Sequence, residues 1–264
     1  MIYLNRAAVC AGLLWLSGCS TQTNISQQAA LQPSASKTAL HMQRISTLES
    51  NDAVTIGAEQ LQPGDILLSS TTGVTSLGIR LFSLSGVSHA SVYLGNGEVA
   101  EAVGEGVQIV SLEQALSHSN SMVSLRHPGF SDEQLQRLRF FAQSKRGKKY
   151  NYKGIVIIAP YTLSRRVCDL PVFFGKGRSQ CFDTLATVQI GDSADAQETF
   201  FCSQFVIEAF NYAGNPITVS NALWISPADL LHMREGDISS FTPVQPLQYV
   251  GHLKKWNLYN AVFG

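Results

Sequence analysis

The sequence is short of charge. Of its 264 residues only 14% are Asp, Glu, Lys or Arg, and the two signs cancel at 19 each. No basic stretch stands out, which speaks against a nucleic-acid binder. Long apolar runs are missing at the N-terminus, where the run from Ala7 to Leu16 falls short of the roughly 20 residues a membrane-spanning helix needs. The 5 cysteines and 6 histidines contain no C-x-x-C or H-x-x-x-H spacing. A metal site therefore has no ligand set to build on, and neither metal nor cofactor is expected. No internal repeat is visible. What is plentiful is apolar surface: 45% of residues, enough for a sizeable core and too much for a disordered chain. The length suits one generous domain or two small ones.

The stretch "MIYLNRAAVCAGLLWLSGC" places one positive charge, Arg6, ahead of its short apolar run, as the n-region and h-region of a secretory signal do. Its end, "LSGC" from Leu16 to Cys19, resembles the bacterial lipobox, where small residues precede a cysteine that is acylated before cleavage in front of it. A generic signal peptide with an incidental cysteine is the plainer alternative. The resemblance implies a signal peptide over residues 1–18 and a lipid, palmitate among its acyl chains, on Cys19. Several acyl chains anchor a protein stably where one does not. Ser20 and Thr21 follow the cysteine instead of the aspartate of an inner-membrane retention signal. The expected destination is thus the outer membrane, with the domain facing the periplasm. Residues 19–50 comprise the lipidated cysteine and a tether; "TQTNISQQAALQPSASKT" is polar, nearly uncharged and without period, the composition of a flexible linker.

Residues 51–264 carry the folding signals. "LQPGDILLSS" joins a Pro-Gly turn to an apolar strand, and "TSLGIRLFSLSG" has helical spacing. "GVSHASVYLGNGEVAEAVGEG" alternates on either side of Gly-Asn-Gly, and "GVQIVSL" and "MVSLRHP" read as further strands. In "SDEQLQRLRFFAQSKRG", Ser131 and Gln134 form a capping box ahead of a stripe of Leu135, Leu138 and Phe141 or Ala142, and Gly147 ends the helix. "KKYNYKGIVIIAPY" leads into a buried apolar segment. The stretch from Ser164 to Thr199 has no clear period and reads as loop. "TFFCSQFVIEAFNYAG" and "SPADLLHM", with Ser226 as N-cap and Pro227 at N1, are helices, and "PLQYVGHL" is a last strand. Strands first and helices later is an α+β order rather than alternating βαβ.

Three residues have chemistry out of proportion to their surroundings. Cys202 lies at or before the first turn of its helix, where the dipole and free N–H groups favour a thiolate and an oxyanion. Read alone, it fits a buried structural cysteine at least as well. His89 and Glu101 sit on opposite arms of the hairpin. If Gly95, Asn96 and Gly97 form a three-residue loop, Glu101 faces Ser91, and His89 is its diagonal neighbour on the same face, about 7–8 Å away. A carboxylate there orients an imidazole, which in turn holds a thiolate. A solvated surface pair is the alternative, and a register slip of one residue separates the two side chains.

In order and spacing, "GDILL", "SHASVYLGNGEVAEA" and, much later, "FFCSQFV" resemble the permuted papain-like hydrolases of the NlpC/P60 superfamily. The likeness is to their YaeF/YiiX-like branch, the permuted papain-like amidases, with the lecithin:retinol acyltransferase group more distant. It spans roughly Leu61 to Ala213. It implies an α+β, circularly permuted papain-like fold: an antiparallel sheet packed against helices, histidine strands before the cysteine helix. It also implies Cys202 as nucleophile, His89 as base and Glu101 as orienting residue. "GKKYNYKGI" is similar to a segment of this branch, making Tyr150 and Tyr152, with Ser203, candidates for the cleft wall; core tyrosines are the alternative.

In an oxidising periplasm an even pair of cysteines tends to bridge, so Cys168–Cys181 is the expected disulfide and Cys202 the odd, reactive thiol. His41, His118, His127, His232 and His252 are expected to be surface or structural. The expected protein is a monomeric cysteine hydrolase, anchored to a bacterial membrane, cleaving an amide of peptidoglycan or another peptide through an acyl-enzyme. A thiol lipase or acyltransferase acting on lipid acyl bonds is the alternative substrate class. A non-catalytic ligand-binding lipoprotein is the alternative function class.

Overall fold

Asp65 starts the sheet. Its carboxylate, fully buried, takes both Nε and Nη2 of Arg126 at 2.7 and 2.8 Å and the Gln62 N–H at 2.8 Å. It thereby fixes where the chain leaves the Pro-Gly turn and becomes a strand. The computed structural model describes residues 21–24, 39–42, 47–48, 53–71, 86–152, 160–161, 164–169, 176–189 and 199–255. Its strands are β1 (Thr21–Asn24), β2 (Ala39–Met42), β3 (Asp65–Thr71), β4 (His89–Gly95), β5 (Glu98–Val103), β6 (Gly106–Ser111), β7 (Ser119–Arg126), β8 (Lys149–Tyr150), β9 (Thr199–Phe200) and β10 (Gln248–Lys254). Its helices are α1 (Leu112–Ser117), α2 (Asp132–Lys145), α3 (Lys176–Gln189), α4 (Cys202–Ala213) and α5 (Pro227–His232).

Six strands make one antiparallel sheet in the order β10-β7-β3-β4-β5-β6. The fold is α+β, with helices grouped on the sheet rather than interleaved. Ile66 and Leu68 of β3, Ala90 and Val92 of β4, and Ala100 and Ala102 of β5 form one buried face. Against it pack Leu138, Phe141 and Ala142 of α2 and Phe205, Val206 and Phe210 of α4. Small alanines on the strands leave room for the phenylalanines of the helix. Each fully buried ring contributes roughly 1.5–3 kcal/mol. The other face is covered at one end by a smaller cluster, Leu67, Tyr93, Val99 and Met122 with Leu112 and Ala115 of α1.

The hairpin reaches its register by a different route from the three-residue loop. The turn is two residues, Asn96 and Gly97, with φ of 54° and 75°, and an irregularity between Tyr93 and Gly95 absorbs one residue. Asn-Gly suits this left-handed pair, and the bulge restores the pairing Ser91↔Glu101. The stretch expected as loop after Ser164 contains α3, tied to the 3-10 turn Arg165–Asp169 by sulfurs of Cys168 and Cys181 at 2.03 Å. Within the expected tether, β1 and β2 pair antiparallel. The proposed signal, Cys10 and Cys19, the helix expected near Leu77 to Leu84, and most of the apolar run after Tyr152 lie outside the described residues. Among the described residues no helix is long and apolar enough to cross a membrane.

Candidate active site

Period-two alternation puts His89, Ser91 and Tyr93 on one face of β4, and the register carries that face across to Glu101 and on to Gln108 of β6. His89 is the first residue of its strand, so its ring sits at the strand's end. His89 Nε2 and Glu101 Oε2 are 2.8 Å apart, with both side chains about nine-tenths buried. Glu101 Oε1 accepts the Gln108 Nε2–H at 3.0 Å.

Cys202 is the first residue of α4, buried, and the free cysteine among the described residues. The chain arrives through β9, which pairs in parallel with β8, and the Asn151 N–H donates to the Phe200 carbonyl at 3.0 Å. Phe201 is the extended N-cap residue, its N–H donating to Gln204 Oε1 at 3.4 Å. The helix thus begins abruptly at the sulfur, leaving first-turn N–H groups free of intrahelical partners.

His89 holds the three residues together electrostatically. Burial alone would lower its pKa, but hydrogen bonds to Cys202 and Glu101, and their charges, outweigh this and push it up to about 10. With Nε2 engaged by Glu101, Nδ1 is the nitrogen left for the sulfur. Glu101 shows the mirror effect. Desolvation pushes its pKa up, yet the hydrogen bond and charge of His89, the Gln108 amide and the charge of His118 bring it below the usual value. The pair is therefore imidazolium and carboxylate at neutral pH.

A cavity of about 440 Å³ opens on this face, lined by His89 and Glu101 with Ser69, Ser91, Gln108 and His118 among others. Tyr150 is half-buried, and its pKa is raised by burial first and then by its electrostatic interactions with Cys202 and Tyr152. Tyr152 is exposed; its ring meets Tyr150 edge-on at 4.9 Å, and its hydroxyl donates to the Gly104 carbonyl, on the cavity rim, at 3.2 Å. Ser203 is not among the residues that line this cavity. It is fully buried and donates to the Ile225 carbonyl at 2.6 Å, tying α4 to the segment before α5.

Three of the other histidines have structural partners. His127 is buried among Phe130 and Phe210, and burial lowers its pKa. His232 meets Asp237 at 3.0 Å. His252, whose pKa burial and nearby Lys255 and Arg234 push down to about 4, bonds Thr47 and Tyr249. Among the described residues no three His, Cys, Asp or Glu side chains gather as a metal site. Gln108 escaped the sequence reading. An isolated glutamine in an alternating strand gives no signal until the β5–β6 register sets it opposite Glu101.

No protein-family model matches the chain. Over 246 residues, 91% of this chain and 89% of the relative, it is 44% identical to the probable lipoprotein peptidase YaeF of Escherichia coli (strain K12). Among solved structures, that of metalloprotein yiiX from Escherichia coli O157:H7 is similar at 22% identity, covering 75% of this chain and 99% of that one with a TM-score of 0.43.

Proposed function

The chain belongs to the family of the probable lipoprotein peptidase YaeF, and from that premise we propose that it is a lipid-anchored cysteine hydrolase of the bacterial cell envelope. The observation that carries the reading is the meeting of Cys202, His89 and Glu101 at a helix N-terminus. A sheet that supplies the histidine before the helix that supplies the cysteine is the order of a circularly permuted papain-like fold of the NlpC/P60 type. Cys19 would carry the lipid, holding the domain on the periplasmic side of the outer membrane.

The Cys202 thiolate attacks the carbonyl carbon of an amide, and the developing oxyanion meets N–H groups of the α4 N-terminus. Collapse of the tetrahedral adduct breaks the C–N bond, and His89 gives its Nδ1 proton to the departing amine, leaving a thioester on Cys202. Neutral His89 then takes a proton from water as the water attacks the thioester, releasing the carboxylic acid and restoring the imidazolium–thiolate pair. Glu101 keeps the ring oriented and stabilises its charge throughout, and Tyr150 forms part of the wall beside the sulfur.

The test is to incubate wild type and Cys202→Ala with peptidoglycan fragments and with phospholipids, reading products by mass spectrometry. Amide cleavage by the wild type alone is the expected result; release of fatty acid alone moves the substrate to lipid acyl bonds. At neutral pH an electrophilic thiol probe should label Cys202 at least tenfold faster than a free cysteine, and His89→Ala should remove that advantage. Labelling no faster than free cysteine, together with no product from either substrate, would leave a ligand-binding lipoprotein.

A further inference from the structure

We infer that Gln108 is a positioning residue for the thiol site: its side-chain amide fixes Glu101 so that the remaining carboxylate oxygen faces His89. The inference rests on the Cys202–His89–Glu101 reading and goes one residue beyond it.

Gln108 lies directly opposite Glu101 in the β5–β6 ladder, on the same face of the sheet. Its Nε2–H donates to Glu101 Oε1 at 3.0 Å while Oε2 meets His89 Nε2 at 2.8 Å. A carboxylate can rotate about its terminal torsion through a broad range. Here each oxygen has its own partner, on strands to either side, so rotation would break two hydrogen bonds at once. An amide is suited to the task. It donates to the carboxylate without bringing a positive charge that would compete with the imidazolium for it. A lysine or arginine at the same place would form its own ion pair with Glu101 and weaken the hold on His89. The other ionisable groups near the pair are Cys202 from α4, His118 from the turn after α1, and Glu105 at the β5–β6 turn. Among the described residues the hydrogen bond to Glu101 Oε1 comes from Gln108, so holding that oxygen falls to it.

The effect should appear in the ionisation of His89, which a purely structural glutamine would not influence. The experiment follows the rate of Cys202 alkylation by iodoacetamide from pH 4 to 11 in wild type, Glu101→Gln, Gln108→Leu and the double variant, with thermal unfolding recorded for each. Wild type should show an upper inflection, where His89 loses its proton, well above that of a free imidazole. Glu101→Gln should lower it, and Gln108→Leu should lower it by roughly one pH unit, the scale of one hydrogen bond to a charged group. In the double variant Gln108→Leu should add almost nothing, because its effect passes through Glu101. Gln108→Asn, which keeps the donor on a shorter stem, should recover part of the shift. An unchanged inflection in Gln108→Leu beside a lowered one in Glu101→Gln overturns the positioning role alone, as does full additivity in the double variant. An inflection unchanged in Glu101→Gln overturns the underlying ion-pair reading, and this role with it.

Discussion

At the scale of single residues, two opposing effects meet on His89. Burial disfavours its charged form; hydrogen bonds to a sulfur and a carboxylate favour it, and they prevail, raising its pKa from 6.5 to about 10. Folding therefore favours the protonated ring. The stability this contributes is fully present below about pH 6.5, the ordinary imidazole value, and is lost as pH rises through about 10. The midpoint of thermal unfolding should accordingly fall by several degrees between pH 7 and pH 10 in wild type. His89→Gln, which cannot titrate, should show a distinctly smaller fall over the same interval. Circular dichroism melts at half-unit pH steps measure this, and equal slopes for the two proteins would show that the ring gains no charge on folding. Glu101 is linked with the opposite sign. Its pKa is lowered, so its contribution is present above the ordinary carboxylate value and fades as acid protonates it.

At the scale of elements, what could be read in the sequence depended on how local the determinant was. The helix Asp132–Lys145 announces itself through Ser131 and Gln134, whose reciprocal bonds are formed at 3.2 and 3.0 Å. The pairing of Ser91 with Glu101 was legible by supposing a three-residue loop, although the turn reaches it through Asn96 and Gly97 with a bulge. The helix Lys176–Gln189 was illegible because little in it is periodic. Phe182 and Ala186 are its fully buried side chains among those described, and Cys181 links it to Cys168. That sulfur contact yields a count. Mature protein, denatured without reductant, should titrate one free thiol, Cys202, and three after reduction; three before reduction would exclude the bridge. A second element-scale consequence lies at Gly106, where β6 begins. Its φ is +114°, and a Cβ there would stand 2.5 Å from the Lys148 carbonyl oxygen. That backbone leads into β8 and so to β9 and Cys202. Gly106→Ala should lose about 2 kcal/mol in denaturant unfolding. It should also slow Cys202 labelling, since Lys148 must move. A variant that loses stability with labelling intact would uncouple β8 from the nucleophile.

At the scale of the whole molecule, Thr47, at the end of the expected tether, is bonded to the folded domain. Thr47 Oγ1 and His252 Nε2 are 3.1 Å apart, and Arg234 Nη1 donates to the Thr47 carbonyl at 3.0 Å. Thr55 bridges to His252 in β10, and the backbone N–H groups of Ile56 and His252 exchange bonds with the carbonyls of His252 and Val54. The chain entering from the N-terminal side is therefore fastened to the far edge strand of the sheet, with Thr47 also within 3.6 Å of where a Cβ on Gly86 would sit, three residues before His89. Composition could not reveal this, because the threonine falls at the end of a polar, low-charge run and its partners lie 187 and 205 residues away. His252 is buried, with its pKa pushed down to about 4, so it is neutral at physiological pH and needs partners for its ring nitrogens. A fragment beginning at residue 53 leaves Nε2 without the threonine hydroxyl, whereas one beginning at residue 46 keeps it. The shorter fragment should be less stable by about 1–2 kcal/mol in urea unfolding, the cost of a buried polar atom that loses its hydrogen bond. Thr47→Val in the longer fragment should reproduce much of that loss, since it keeps the shape and removes the hydroxyl. Equal stability in all three would mean that the fold is complete without Thr47 and that the domain proper starts at the parallel bridge to Thr55.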